Sequence, residues 1–506
     1  MNEINKRKRE ILKESSFLFD GILVGILAAV VGIIYRLMIT YSENVVKKFL
    51  VIISTNKFNI IYLIIFLSIV GFLSGYMVKK SPHSSGSGIP QVSAEVTGRL
   101  NQKPISVLIS KMFGGFFASL GGLSLGREGP SIQLGAMCGK IISKILKRDS
   151  IKETYLLTSG ASAGLSVAFN APLAGVMFSL EEIHKNISKK LVISCFSSAI
   201  VSDILTQYVF GLDAIFTFPN LSEIKLYVYF YMAILGVILG FFGTFYNVLM
   251  KICIKIYNKI SLNVLIRPQI AMFLSLIMFL FFPIVLGSGH NLVEKLIYTS
   301  YGLIFLIILY FVKTFFSLMS FASGVAGGIF LPILVQGAIL GAIFSNFVDK
   351  ENIAVFIIIS MAGYLTAVVR SPLTSMILIF EMTQKLSYFL PLGICCLLAY
   401  YTANILGTKP VYEYLLSNLL KKNKIKFDGE NEIEFELIIE NDSKLINKKI
   451  KDIMWGEKVF ISEIERNGKH IIPKGNTILH LNDKLVIETT REKAGTFVEK
   501  FLEGKE

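Results

Sequence analysis

Gly126-Arg127-Glu128-Gly129-Pro130 is the stretch on which the reading of this chain turns. It sets a carboxylate and a guanidinium among glycines, between apolar runs at 107–125 and 130–146. An acid at membrane depth is expensive to keep, so its presence there points to function. The glycines and proline specify backbone as well. Proline fits the first turn of a helix, where its missing N–H leaves no bond unmade, so the stretch predicts a helix that starts inside the membrane. Such broken helices are tolerated only where they pack on protein or line a polar cavity.

The stretch has a counterpart 202 residues on, Gly328-Ile329-Phe330-Leu331-Pro332. The same offset pairs Lys111 with Lys313 and Gly135-Ala136 with Gly337-Ala338. At an offset of 200, Ala171-Pro172-Leu173 matches Ser371-Pro372-Leu373, each leading to a glutamate, Glu181 and Glu381. Two halves of one fold are implied, running parallel or inverted, with a binding site where their broken helices meet. A third segment of this kind is Gly86-Ser87-Gly88-Ile89-Pro90. Free N–H groups and the positive end of the helix dipole make an anion site at each such terminus without a full positive charge. Binding by dipoles is strong enough to strip water and weak enough to release the ion. Glycines also let helices pack closely, which would account for any one segment but not for three together.

Composition agrees. Of 506 residues, 53% are hydrophobic and 17% charged, and mean hydropathy is +0.61, which predicts a polytopic α-helical membrane protein. The net charge of +15 does not imply nucleic acid, because 418–506 balances 17 basic against 17 acidic residues and the surplus lies in the apolar part. Lys6, Arg7, Lys8 and Arg9 precede the first apolar run, 17–39, and place its start in the cytoplasm, although Lys47 and Lys48 follow it. That run is long and lacks a small-residue cleavage pattern, against a cleavable signal. Further apolar runs continue to 406; those at 130–146, 155–168 and 173–180 fall short of the roughly 20 residues that span a bilayer.

The five cysteines and five histidines show no ligand spacing and no His-Glu-x-x-His, so neither a metal nor a disulfide frame is expected. No catalytic triad or Walker loop appears, so neither an enzyme nor a cofactor is expected. A potassium filter of Thr-Val-Gly-Tyr-Gly type is absent too. Beyond residue 417 the composition changes: 34 of the last 89 residues are charged, against 53 of the first 417. The expected division is a membrane domain at 1–416, a charged linker at 417–430 and a small soluble α/β domain at 431–506. In the last, Ile433, Phe435, Leu437 and Ile439 alternate as in a strand. Further strands are expected at 459–464 and 484–489, with a hairpin turn at Asn467-Gly468 and a terminal helix at 492–502.

Over roughly residues 15–415 the chain resembles the CLC family of chloride channels and proton-coupled chloride exchangers. The resemblance rests on the three segments in order, with Lys111-Met112-Phe113-Gly114-Gly115, Phe169-Asn170-Ala171-Pro172-Leu173-Ala174-Gly175 and Lys409-Pro410-Val411-Tyr412. It implies two inverted repeats in the cell membrane, both termini cytoplasmic, and a homodimer with a pathway in each subunit. It implies that chloride is held by the Ser87 and Tyr412 hydroxyls and by the N–H groups of Ile329 and Phe330; serine at the Ser87 position goes with chloride preference, proline with nitrate. Gly86, Gly88, Ile89, Pro90, Gly126, Arg127, Gly129, Pro130, Gly328, Leu331 and Pro332 then form the selectivity backbone. Glu128 is implied as gate and proton carrier, and Glu182 as the second glutamate that passes protons from the cytoplasm. Glu181, with Glu381, is an accessory acid. Lys111 and Lys313 either raise the local potential or pair structurally, while Arg127 and Arg370 are held outside the anion site. The function expected is antiport of chloride and protons; the alternative is a passive voltage- or pH-gated chloride channel. The tail resembles a TrkA-C (RCK-C) domain through Ile471-Ile472-Pro473-Lys474-Gly475-Asn476-Thr477 and Asn482-Asp483-Lys484-Leu485. That implies dimerisation and a small regulatory ligand, in some relatives a nucleotide, although the tail has no phosphate loop.

Overall fold

The repeat announced by the glycine-proline segments organises the whole membrane part. A computed structural model describes residues 2–55, 59–185, 187–212, 216, 226–260, 262–350, 352–384, 386–423, 432–439, 443, 445–455, 459–466, 469–481 and 483–490. Its first half holds α1 (Asn2–Thr55), α2 (Ile60–Lys80), α3 (Ile89–Val96), α4 (Pro104–Leu120), α5 (Glu128–Ile145), α6 (Ser150–Phe169), α7 (Pro172–Phe178) and α8 (Lys189–Phe210). The second half repeats the series as α9 (Leu226–Lys259), α10 (Pro268–Phe281), α11 (His290–Tyr298), α12 (Leu303–Ala322), α13 (Phe330–Val348), α14 (Ile353–Val369), α15 (Pro372–Thr383) and α16 (Phe389–Ile405), and α17 (Val411–Asn423) follows. Packing partners repeat too: α1 lies on α8 as α9 lies on α16, and α5 on α6 as α13 on α14. Among the described residues, α1, α2, α8, α9, α12 and α13 are long and apolar enough to cross a membrane.

Glycine sets the approach of α5 to α6. A Cβ on Gly135 would strike the carbonyl of Gly160, one on Gly139 that of Leu156, and one on Gly164 that of Ser131. In the second half Gly337 and Gly341 meet the carbonyls of Ser360 and Phe356 in the same manner. Small residues thus replace side-chain interdigitation with backbone contact, the usual means of tight association where the surroundings are as apolar as the helices.

Two charges lie buried within the membrane part where no sequence pattern marked them. Lys140 on α5 forms an ion pair with Glu95 on α3 and also donates to Asn101 Oδ1 (2.7 Å) and the Gln102 carbonyl (2.8 Å). Glu95 in turn accepts from Gln102 Nε2 at 2.7 Å. Lys140 and Glu95 are 1% and 0% exposed, so removing one partner strands the other away from water. Lys140→Met is expected to destabilise the protein by about 3–5 kcal/mol, and Lys140→Met with Glu95→Gln by clearly less. Thermal unfolding of the two variants in detergent measures the difference.

The soluble tail is a sheet of four antiparallel strands in the order β1 (Glu432–Ile438), β4 (Lys484–Thr490), β2 (Val459–Arg466), β3 (Lys469–Ile471). Its core is Leu437, Ile439, Ile464, Leu479, Leu485 and Ile487. Arg466 grips Asp483 through two hydrogen bonds of 2.7 Å, and Asp483 also accepts from the His480 amide. Strands β1, β2 and β4 fall where the sequence placed them, and the short β3 is an addition to the three expected. The turn at Asn467-Gly468 and the helix at 492–502 lie outside the described residues. Helix α17 runs on to Asn423, into the stretch expected as linker, because Tyr414 and Leu415 pack on the membrane core and Lys421 and Lys422 suit a helix C-terminus.

Candidate ion pathway

Three helix starts converge where the halves meet. Gly126 and Gly328 exchange backbone hydrogen bonds of 2.7 and 2.8 Å, Gly86 donates to the Val325 carbonyl, and Gly327 donates to that of Gly86 (each 3.0 Å). These links bring the N-termini of α3, α5 and α13 together, so the first-turn N–H groups of three helices share one region. The glycines are needed for two separate reasons. Gly86 and Gly88 hold φ of +64° and +94°, where other residues are strained. Gly129 and Gly328 are needed for proximity: a Cβ on Gly129 would lie 2.6 Å from Ser87 Oγ, and one on Gly328 would lie 3.0 Å from the Gly129 nitrogen.

Glu128 opens α5 inside this junction. It is fully buried, and neither carboxylate oxygen makes a hydrogen bond of ordinary geometry. Oε2 lies against Gly126, and the space there closes on Leu331 in the first turn of α13. A buried carboxylate is costly unless its surroundings compensate the charge, and this one sits where helix dipoles favour negative charge. Ser87 lies on the other side of Gly129, with its hydroxyl accepting from the Ile89 amide at 3.4 Å. Phe330 stacks at a tilt on Phe169 (5.6 Å) and edge-on to Phe178 (5.8 Å), which meets Tyr412 edge-on at 6.3 Å. Tyr412 is buried, its hydroxyl close to Ser87 but without a hydrogen bond of ordinary geometry. Tyr412 therefore joins Ser87, Ile329 and Phe330 at the junction, and its electrostatic surroundings include both Glu128 and Glu182.

Glu182 follows α7 in a π-helical stretch, Ser179–His184. The wider turn shifts the register of the residues that follow α7, an irregularity frequent at functional sites. Glu182 is 8% exposed; its carboxylate accepts from Ser371 Oγ at 3.2 Å, and the residue borders a cavity of about 370 Å³ shared with Lys185, Arg370 and Glu413. Its neighbour does something different. Glu181 accepts from the Thr374 amide (2.9 Å) and hydroxyl (2.7 Å) at the start of α15, and Glu381 accepts from the Leu173 and Ala174 amides (3.0 and 2.7 Å) at the start of α7. Each half thus caps a broken helix of the other.

The two repeat lysines also act alike. Lys111 Nζ donates to the carbonyls of Ser84 and Gly86, and Lys313 Nζ to those of Val285 and Gly287. Each ties down the loop ahead of a short helix. Arg127 reaches the Ala168 carbonyl, and Arg370 the carbonyl of Ala403 and Oδ1 of Asn404. Lys313 exposes a motif the sequence reading missed. Gly287-Ser288-Gly289-His290 is the counterpart of Gly86-Ser87-Gly88-Ile89, with φ of +66° and +94° at its glycines. The recurring Gly-Ser-Gly was the available signal; its offset of 201 falls between the 202 of the glycine-proline segments and the 200 of the Pro172 and Pro372 pair, and no proline follows it.

The family model for voltage gated chloride channels matches residues 70–404, and that for the TrkA-C domain matches residues 435–502. Over 428 residues the chain is 32% identical to the H(+)/Cl(-) exchange transporter ClcA of Vibrio cholerae serotype O1 (strain M66-2), covering 81% of this chain and 91% of the relative. The crystal structure of a slow cyanobacterial Cl-/H+ antiporter aligns with a TM-score of 0.76 at 27% identity, over 81% of this chain and 99% of that one. A eukaryotic CLC transporter shares the fold, with a TM-score of 0.68 at 21% identity, over 86% and 79% of the two chains.

Proposed function

Because the chain belongs to the voltage gated chloride channel family, as a multi-pass membrane protein with a TrkA-C domain, we propose that it exchanges chloride for protons. The observation that carries this reading is the Glu128 carboxylate, buried among the starts of α3, α5 and α13 without a hydrogen bond of ordinary geometry. Ionised, it resembles the transported anion and competes for the same N–H groups. Protonated, it no longer competes and can swing aside, so one group serves as gate and proton carrier. Chloride would be held by the Ser87 and Tyr412 hydroxyls and the Ile329 and Phe330 amides. Glu182, at the edge of its own cavity, would take protons from the cytoplasm by a route separate from that of chloride. The relatives named as H+/Cl- exchangers support antiport over passive conduction.

In this reading 1–416 forms the transport domain, 417–430 the connection and 431–506 the regulatory domain. The protein works as a homodimer in the cell membrane with both termini cytoplasmic. The tail reinforces the dimer, and a small ligand such as a nucleotide would act there. Purified protein in liposomes tests the central claim. A chloride gradient is expected to drive protons uphill, read with a pH-sensitive dye. Chloride flux without proton movement would mean a passive channel and end the exchanger reading.

A further inference from the structure

The two Gly-Ser-Gly loops share a build but not their surroundings. Each has glycines at positive φ, opens a helix, and has two carbonyls tied by a buried lysine, Lys111 in the first and Lys313 in the second. Their serines differ. Ser87 lies at the anion junction against Gly129, whereas Ser288 Oγ donates to Glu43 Oε1 on α1 at 2.9 Å. A residue that serves only the fold of the loop should have the same character in both halves, and one that serves the anion should be peculiar to the first.

Position 133 meets the second description. The offset of 202 pairs Gln133 on α5 with Val335 on α13, and the two stand in the same place. A Cβ on Gly88 would lie 2.5 Å from Gln133 Oε1, and one on Gly289 would lie 2.9 Å from Val335 Cγ2, so each side chain backs the second glycine of its loop. Valine is enough to support the loop by packing. Gln133 adds hydrogen bonds: fully buried, it donates through Nε2 to the His83 carbonyl at 2.9 Å and to Gln102 Oε1 at 2.6 Å. Gln102 Nε2 is itself committed to Glu95 (2.7 Å) and the Gln91 carbonyl (3.2 Å), which fixes the orientation of both amides. A continuous chain therefore runs from the Lys140–Glu95 ion pair through Gln102 and Gln133 to the loop. Gln91 Nε2 holds the Ser85 carbonyl at 2.8 Å and Lys111 holds those of Ser84 and Gly86, so every carbonyl from His83 to Gly86 accepts a side-chain donor. The loop that carries Ser87 is pinned from behind.

We propose that Gln133 is a positioning residue that sets anion specificity: by holding the His83 carbonyl and backing Gly88, it keeps the Ser87 loop at a spacing that suits a halide and disfavours a planar oxyanion such as nitrate. A small spherical ion is bound best when all donors converge on one point, which a pinned loop maintains. A flat ion with three oxygens requires that loop to yield. The inference rests on the reading of Ser87 as a chloride ligand and deepens it, because the choice of ion then depends on what stands behind the serine as well as on the serine itself.

Isothermal titration of the purified protein in detergent, with potassium chloride and with potassium nitrate, reads the preference directly. Wild type is expected to bind chloride more tightly. Binding of neither anion would end the chloride-site reading itself, whereas equal binding of both would overturn this proposal alone. Gln133→Leu is expected to weaken chloride binding about tenfold and nitrate binding less than about twofold, so that the preference collapses. Loss of support for the fold alone would lower both affinities together, so an unchanged ratio overturns the proposal. Should Gln133→Leu fail to fold, Gln133→Val, which gives this position the residue of the second half, carries the same measurement: a reduced ratio supports the proposal and an unchanged one rejects it.

Discussion

Glu128→Gln is expected to separate the two fluxes, leaving chloride transport in place and reducing coupled proton transport at least about a hundredfold. The argument starts from size and charge. Glutamine fills the space that the carboxylate occupies against Gly126 and Leu331, so the closely packed junction of Gly86, Gly126, Gly129 and Gly328 need not rearrange. What changes is titration. A neutral amide cannot carry a proton, and it competes with chloride for the first-turn N–H groups only as weakly as a neutral group can. Flux measured in liposomes with a chloride electrode and a pH dye reads both halves of the prediction. A Glu128→Gln protein that still drove protons uphill would remove the proton-carrier role, even if chloride flux remained as expected.

How much of this arrangement was legible beforehand depends on the reach of the contact. The broken helices were, because proline and glycine constrain backbone locally and leave a mark within five residues. Lys111 and Lys313 stood out because a lysine inside an apolar run repeats at the offset of the glycine segments. Of the tail strands, the first was legible from alternation, and those at 459–464 and 484–489 were also placed, while the short Lys469–Ile471 was not. Contacts between distant parts of the chain were not. Glu181 caps α15 across 193 residues, and Glu381 caps α7 across 207 and 208, so no window of sequence contains both partners. Lys140 and Glu95 are 45 residues apart on helices whose closeness is a property of the folded core. Glu43, on a partly exposed turn of a long apolar helix, gives no sign of Ser288, 245 residues away. Local backbone chemistry could therefore be read from the sequence, while side-chain pairing across the pseudo-symmetric halves required the fold.

Adjacent glutamates make the second large prediction a sharp one. Glu182→Gln is expected to abolish proton transport, by at least about a hundredfold, while part of the chloride flux survives. Glu182 borders the open cavity, and among the described residues its hydrogen-bond partner is a single serine hydroxyl, an arrangement that suits a proton carrier. Glutamine keeps its shape and can still pair with Ser371, so the fold should hold. Glu181→Gln is expected to act in the opposite way. Its carboxylate is committed to the Thr374 amide and hydroxyl at the start of α15, and weakening that cap costs about 1 kcal/mol of stability without removing a proton carrier. Thermal unfolding and proton flux measured on the same two preparations therefore give a crossed pattern, with Glu182→Gln stable and uncoupled and Glu181→Gln less stable and coupled. The reverse pattern would move the inner proton site to Glu181, and full coupling in both would place it on neither.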